Sequence, residues 1–243
     1  MKPKKPLLIL KTGSKIDSLH DVPGDYEHWI AAGMGWESDQ VRVVDAAVDF
    51  LWPEPRQIGG VAITGSGSMV TEQAAWMLRA TDWLADAVHQ QVPILGICFG
   101  HQLLAHALGG RVDFNPRGVE VGTVPVSLAE AAAGDPLLSG LPSRFPAQLS
   151  HRQSVIELPP GAVLLGASDM EPHQGFSFGP RAWGIQFHPE FDEKIVARFI
   201  EDYRDILAEQ GWSADALHAG IRPTPESHSV LRRFARIVRG EWV

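Results

Sequence analysis

Among its 243 residues the chain has one cysteine and two tyrosines. A single thiol forms no internal disulfide, which removes the oxidised, cross-linked class of small domains and leaves the cytoplasm as the expected compartment. No apolar run approaches the roughly 20 residues that span a bilayer. The apolar stretch Leu7–Leu10, preceded by lysines, is too short for a signal-peptide core and reads better as a buried first strand. Basic charge is also short: the formal net charge is −8, so no basic stripe for nucleic acid is expected. Repeats, low-complexity tracts and long linkers are missing too. No membrane or nucleic-acid partner is expected.

What remains is an ordinary globular composition, 44% hydrophobic and 21% charged, with enough length for a full α/β core. Short apolar runs bounded by Gly and Pro alternate with helical patterns. Strands are expected at Leu7–Leu10, Gln40–Asp45, Val61–Thr64 and Pro93–Ile97. Helices are expected at His28–Met34, at 71–90 with Thr71 as N-cap and Trp76, Leu84 and Val88 on one side, and after Cys98. This alternation predicts a doubly wound, mostly parallel sheet with helices on both faces. From Arg111 to Leu128 apolar and polar residues alternate between turn signals, which predicts a small antiparallel ribbon. Further strands are expected at Gly161–Ala167 and Ala182–Phe187. A helix is expected at 192–210, and another at Glu226–Arg239 with a solvated face of Arg232, Arg233, Arg236 and Arg239. The expected organisation is one domain over 1–210 with a C-terminal helical extension, 211–243, packed on it.

The lone thiol sits at the corner between a strand and a helix, in Gly96-Ile97-Cys98-Phe99-Gly100. This is the thiol form of a nucleophile elbow, whose tight turn strains the central residue and admits only tiny neighbours. Such a turn lifts the sulfur above the strand ends and aims a helix N-terminus at it, which favours the thiolate. It also frees the Phe99 N–H for a developing oxyanion. A small buried cysteine with no chemistry is the plain alternative. GIQFHPEF at 184–191 answers it with a base and an orienting acid. His188 and Glu190 are two apart at a strand end and face the same side, so Glu190 can hold one imidazole nitrogen while the other meets the thiol. The Gly/Ser turn Thr64–Ser68 offers a second oxyanion donor from Gly65 or Ser66. It lacks the lysine of a phosphate-binding loop, and no dinucleotide fingerprint follows the first strand.

In this order the turn ITGSGS, the elbow GICFGHQLLAHALGG and the end motif GIQFHPEF resemble the class I glutamine amidotransferases of the triad type. The resemblance extends from about residue 5 to residue 205 and implies that family's flavodoxin-like fold. LSHRQSV at 149–155 is similar to the family's Ser-His segment, and GVEVG at 118–122 falls where a Glu-x-Gly stretch is usual. The resemblance implies Cys98 as nucleophile and His188 and Glu190 as its partners. It implies Phe99, Gly65 and Ser66 as the oxyanion hole and Gln102, Ser150 and His151 as substrate contacts. His101 and His106 read as helix packing or surface groups. No metal or cofactor is implied. Glutamine or a γ-glutamyl compound is the implied substrate, with a separate synthetase subunit as a candidate acceptor.

GDYEHWI at 24–30 is closer to stand-alone GMP synthase-like proteins and γ-glutamyl peptidases than to biosynthetic subunits. Arg152 and Gln153 stand where the synthetase type tends to place an aspartate. The chain shows no ATP-pyrophosphatase or dimerisation domain, so it is not expected to make GMP by itself. Three functions stay open: a glutaminase that passes on ammonia, a self-sufficient γ-glutamyl hydrolase, and a redox-sensing cysteine protein, which would have no use for the His-Glu pair. A cysteine α/β-hydrolase fits poorly, because its acid precedes the histidine.

Overall fold

In a computed structural model, residues 5–241 are described; 1–4 and 242–243, including Lys2 and Lys4 and the outer ends of the expected domain ranges, lie outside them. Leu7–Lys11 forms β1, a continuous buried run in which alternate side chains serve opposite faces. Leu7 and Ile9 enter one apolar cluster, and Leu8 and Leu10 enter another on the far side of the sheet. A strand apolar on both faces belongs in the middle of a parallel sheet. β1 accordingly pairs in parallel with β2 (Val41–Asp45) and β3 (Gly60–Ile63). β4 (Ile94–Ile97) follows β3 in parallel. Between these strands lie α1 (Tyr26–Met34) and α2 (Ala75–His89), and α3 (Phe99–Ala107) follows β4.

The second half of the chain supplies β5 (Arg111–Phe114), β6 (Glu120–Leu128), β7 (Arg144–His151), β8 (Gln153–Glu157), β9 (Val163–Ala167), β10 (Gly175–Phe178) and β11 (Ala182–Ile185). The main sheet has nine strands in the order β2-β1-β3-β4-β11-β10-β9-β6-β7, and β5 with β8 forms a separate antiparallel pair. β11 runs parallel to β4, while β10, β9, β6 and β7 are joined by antiparallel pairing. This is the doubly wound, mostly parallel sheet that the sequence pattern predicts. Helices α4 (Glu193–Asp202), α5 (Arg204–Glu209), α6 (Ala214–Ala219) and α7 (Pro225–Val238) complete the chain. The apolar stripe Val230, Leu231, Phe234 and Ile237 of α7 enters the cluster that also holds Leu7, Ile9 and Leu95. None of the described helices is long and apolar enough to cross a membrane.

Several boundaries move from the expected ones, each for a local reason. α1 starts two residues before His28, because the Asp25 carboxylate caps it by accepting the Tyr26 N–H at 2.8 Å. Thr71 does not cap α2: residues 70–72 form a separate short turn, Gln73 takes a left-handed φ of 49°, and α2 begins only at Ala75. The Thr71 hydroxyl accepts instead from Gln153 Nε2 at 2.7 Å. The expected ribbon at 111–128 is split, since β5 pairs with β8 and β6 with β7 and β9. The helix expected at 192–210 breaks at Tyr203, whose φ and ψ of −95° and 4° separate α4 from α5. β11 ends at Ile185 and not at Phe187, because the chain crosses to β7: His188 forms an isolated bridge with Gln148. In the basic face of α7, Arg232, Arg236 and Arg239 are exposed, and Arg233 is half-buried on the Ser139 carbonyl.

Candidate active site

The parallel strands β1, β3, β4 and β11 all end on one rim, and the loops that follow them build the site. At the end of β4, Cys98 holds φ 52° and ψ −105°, a left-handed setting that costs a non-glycine residue roughly 1–3 kcal/mol. Its neighbours leave no room for relaxation. A Cβ on Gly96 would stand 2.3 Å from the Gly100 carbonyl oxygen, and a Cβ on Gly100 would stand 2.6 Å from the Ile63 carbonyl oxygen. Gly100→Ala is therefore expected to cost about 1–3 kcal/mol, some 2–10 °C in Tm for a chain of this size, as read by thermal unfolding. An unchanged Tm would mean that the elbow is looser than its backbone indicates.

His188 and Glu190 arrive from the end of β11. His188 is 3% and Glu190 7% exposed, and Nδ1 lies 2.8 Å from Glu190 Oε1. With Nδ1 on the carboxylate, the remaining ring nitrogen is Nε2, and Gly65 reports where the ring lies. A Cβ built on Gly65 would meet His188 Cε1 at 3.1 Å and Cys98 Cβ at 3.9 Å, so the β3 turn, Cys98 and the imidazole adjoin one another. Burial alone would lower the His188 pKa, but the charges of Glu190 and Cys98 and hydrogen bonding to both outweigh it and raise the pKa to about 10. The neighbouring charges therefore favour the protonated ring. The Phe191 ring lies flat on it, with centroids 3.8 Å apart and planes 6° from parallel, an arrangement that favours the charged form. The Cys98 thiol itself points at the Ser150 carbonyl oxygen, 3.6 Å away on β7.

The oxyanion donors expected from the sequence lie around this pair. Phe99 is the first residue of α3, so its N–H has no preceding turn to bind. Opposite it, the Gly65 carbonyl accepts from the hydroxyls of Thr12 at 3.2 Å and Thr64 at 2.9 Å. In a trans peptide that anchoring turns the Ser66 N–H the other way, off Thr12. The Ser66 hydroxyl is engaged elsewhere, on the Thr12 carbonyl at 2.8 Å. Gly65→Ala would press on His188, and turnover is expected to fall at least about tenfold with Tm nearly unchanged. Equal kinetics in the two proteins would remove the turn from the site.

The three expected substrate contacts differ in what they have to offer. Gln102 Nε2 is taken by the Gln153 carbonyl at 2.7 Å and by Gln186 Oε1 at 2.9 Å. Both ring nitrogens of His151 are engaged too, Nδ1 with the Gln153 carbonyl at 2.9 Å and Nε2 with Glu120 Oε2 at 2.8 Å. Burial lowers the His151 pKa, yet the hydrogen bond and charge of Glu120 outweigh it and raise it overall. Glu120 is held further by Ser168 and Gln174, at 2.6 and 2.8 Å. Gln102 and His151 thus brace the site's floor. Ser150 meets the thiol through its carbonyl oxygen, and its hydroxyl lies against Tyr203. His101 is wholly buried against Phe176, and burial pushes its pKa down to about 3, so it is a neutral packing residue.

Sequence reasoning passed over three groups that shape the site. Phe191 was part of the quoted motif, but stacking cannot be read from adjacency. Tyr26, 3% exposed and stacked on Phe191 at 6.1 Å, comes from α1 more than 70 residues before the elbow. Gln148 places the His188 backbone by accepting its N–H at 2.8 Å. Among the described residues no cluster of His, Cys, Asp and Glu suited to a metal ion occurs.

A family model described as glutamine amidotransferase class-I matches residues 23–200. The glutamine-hydrolysing GMP synthase of Aeropyrum pernix is 35% identical over 187 residues, 75% of this chain but 34% of that protein, so the chain spans about a third of its length. γ-Glutamyl peptidase 4 of Arabidopsis thaliana is 30% identical over 206 residues, 82% of this chain and 80% of that protein. Among solved structures, a glutamine amidotransferase from Thermotoga maritima shares the fold, with a TM-score of 0.74 at 21% identity over 96% of this chain and 98% of that one.

Proposed function

The chain belongs to the class-I glutamine amidotransferase family, and from that membership we propose that it hydrolyses a γ-glutamyl amide through a Cys98 thioester, with glutamine as substrate and its ammonia passed to an acceptor. The observation that carries this is the buried His188–Glu190 pair set beside a strained cysteine at a helix N-terminus.

Each step follows from where the groups stand. Cys98 Sγ attacks the γ-carbonyl carbon, and the carbonyl oxygen becomes an oxyanion held by the Phe99 N–H and the Gly65–Ser66 turn. The His188 imidazolium gives its proton to the departing nitrogen as the C–N bond breaks, which releases ammonia and leaves the thioester. That transfer makes the imidazole neutral, and the thiolate charge that helped to hold the proton is gone. Neutral His188 then takes a proton from water, whose oxygen attacks the thioester carbonyl. Glutamate leaves as the proton returns to the His188–Cys98 pair. Glu190 keeps the ring in one tautomer throughout. A cysteine nucleophile works only while it stays reduced, which suits a reducing compartment, the cytoplasm.

The match to a γ-glutamyl peptidase over most of both chains favours a second reading, in which the leaving group is the amine of a peptide and no synthetase is needed. The chemistry is the same with a larger leaving group. Glutamate release from glutamine and from a panel of γ-glutamyl peptides, glutathione included, separates the two. Slow release from glutamine alone supports an amidotransferase that requires its acceptor. Fast cleavage of a peptide with poor glutamine turnover supports the hydrolase. Turnover of neither, with Cys98 still alkylated by iodoacetamide, would overturn both.

A further inference from the structure

The chain beyond residue 200 lies past the family match, yet it returns twice to the segment that carries His188 and Glu190. The first return is at Arg222, in the loop before α7. Its backbone N–H donates to Thr123 Oγ1 at 3.2 Å, and its carbonyl accepts from Gln148 Nε2 at 3.0 Å. The Thr123 hydroxyl donates onward to Gln148 Oε1 at 2.9 Å, which closes a ring of three groups. Gln148 is fully buried, and its carbonyl is the one that takes the His188 N–H. The second return is at His228, in the first turns of α7, where Nδ1 lies 2.7 Å from the Pro189 carbonyl oxygen. A carbonyl only accepts, so Nδ1 carries the hydrogen and donates it.

That carbonyl belongs to the peptide group between Pro189 and Glu190, so its direction sets where the Glu190 side chain departs from the backbone. The one other bond across it is weak, from the Phe191 N–H to the His188 carbonyl at 3.5 Å. Proline has no N–H to anchor the stretch from the other side. The Glu190 carboxylate touches His188 through Oε1, while Oε2 is buried with no hydrogen-bond partner. The carboxylate is therefore oriented from its backbone and not from a cage of donors around its head.

We infer that His228 is a positioning residue for the triad: it holds the Pro189–Glu190 peptide so that Glu190 stays on His188 Nδ1. The C-terminal helices thereby complete the active site instead of merely covering it. This rests on the reading of Cys98, His188 and Glu190 as the triad.

The test compares His228→Leu, which keeps bulk and removes the donor, with His228→Asn, whose amide N–H stands near the place of Nδ1. In the full chain, His228→Leu is expected to lower kcat about tenfold with KM within about twofold, and His228→Asn to recover most of the loss. The iodoacetamide alkylation rate of Cys98 should fall and recover in the same order, since a slack Glu190 no longer supports the imidazolium beside the thiolate. That arm requires no substrate, so it reads the positioning even if glutamine is the wrong compound. Wild-type kcat and alkylation in His228→Leu would overturn the inference, and so would equal losses in the two variants. Should the leucine protein not fold, His228→Ala takes its place. Full turnover in Cys98→Ala is the separate signature of a mistaken triad.

Discussion

Cys98→Ala is expected to leave less than about one part in a thousand of the turnover, with Tm within a few degrees of the parent. The alanine keeps the Cβ, and so meets the same left-handed φ of 52° without adding bulk between Gly96 and Gly100. It loses the sulfur's 3.6 Å approach to the Ser150 carbonyl and its hydrogen bond and charge beside His188. Stability should hardly notice, because the elbow's strain is a property of the backbone and is common to both residues. Chemistry loses everything that depends on a thioester. What remains is the oxyanion turn and the basic histidine acting on water, which in triad enzymes leaves only a residue of the rate. Steady-state glutamate release and a thermal melt on the same preparation check both halves. Turnover above that level would remove Cys98 from the role of nucleophile.

The second large effect separates the base from the acid that orients it. His188→Ala removes both the proton donor of the first half-reaction and the base of the second, and a loss on the order of 10⁴-fold is expected. Glu190→Gln keeps the ring and a hydrogen-bonding group, so its loss should be at least about tenfold smaller. It should also move the pH profile in a definite direction. Burial works against the His188 proton, and the Glu190 and Cys98 charges overcome it to give a pKa of about 10. Neutralising Glu190 removes one of those charges, so the imidazolium becomes less stable and its pKa falls. The limb on which activity is lost as the donor deprotonates must shift to lower pH. kcat/KM measured between about pH 6 and pH 11 reads this limb in the free enzyme. A limb that stays in place would mean that Glu190 acts by shape and not by charge, and a glutamine variant worse than His188→Ala would mean that the roles are reversed.

The parallel half of the fold was legible because its inner strands, β1, β3, β4 and β11, are short and buried on both faces, with glycine or proline near their ends. Leu7–Leu10 and Ile94–Ile97 carry no polar residue that could suggest another structure. The antiparallel half was legible only in part, at β5, β6 and β9. β7, β8 and β10 went unseen, since Arg144–His151 mixes proline, glutamine and histidine with its apolar residues. Those polar side chains are buried by pairing with residues far off in sequence, as His151 is with Glu120, and no local pattern announces such a partner. Thr71 shows the converse error: it is a good capping residue by type, and its hydroxyl was drawn to Gln153 instead.

The chemical groups were easier to find than their supports. The elbow and the His-Pro-Glu segment are contiguous motifs, and each is written within a few residues. Gln148 on the His188 backbone and His228 on Pro189 come from β7 and α7, and Phe191, though inside the motif, reaches the imidazole only as the chain folds back. Gln102 and His151 carry the right chemistry to contact a substrate, but the nitrogens they would use are taken by protein partners. Residue type indicates what a group can do, and its free valences decide whether a ligand can use it.

The most direct test of the central claim is intact-mass measurement of the enzyme quenched in acid during turnover of glutamine or of the best γ-glutamyl peptide. The account predicts a species heavier by one glutamyl group, located on the Cys98 peptide and missing from Cys98→Ala. Sustained turnover with no adduct on Cys98 at any quench time, in an enzyme made slow to deacylate by Glu190→Gln, would contradict it.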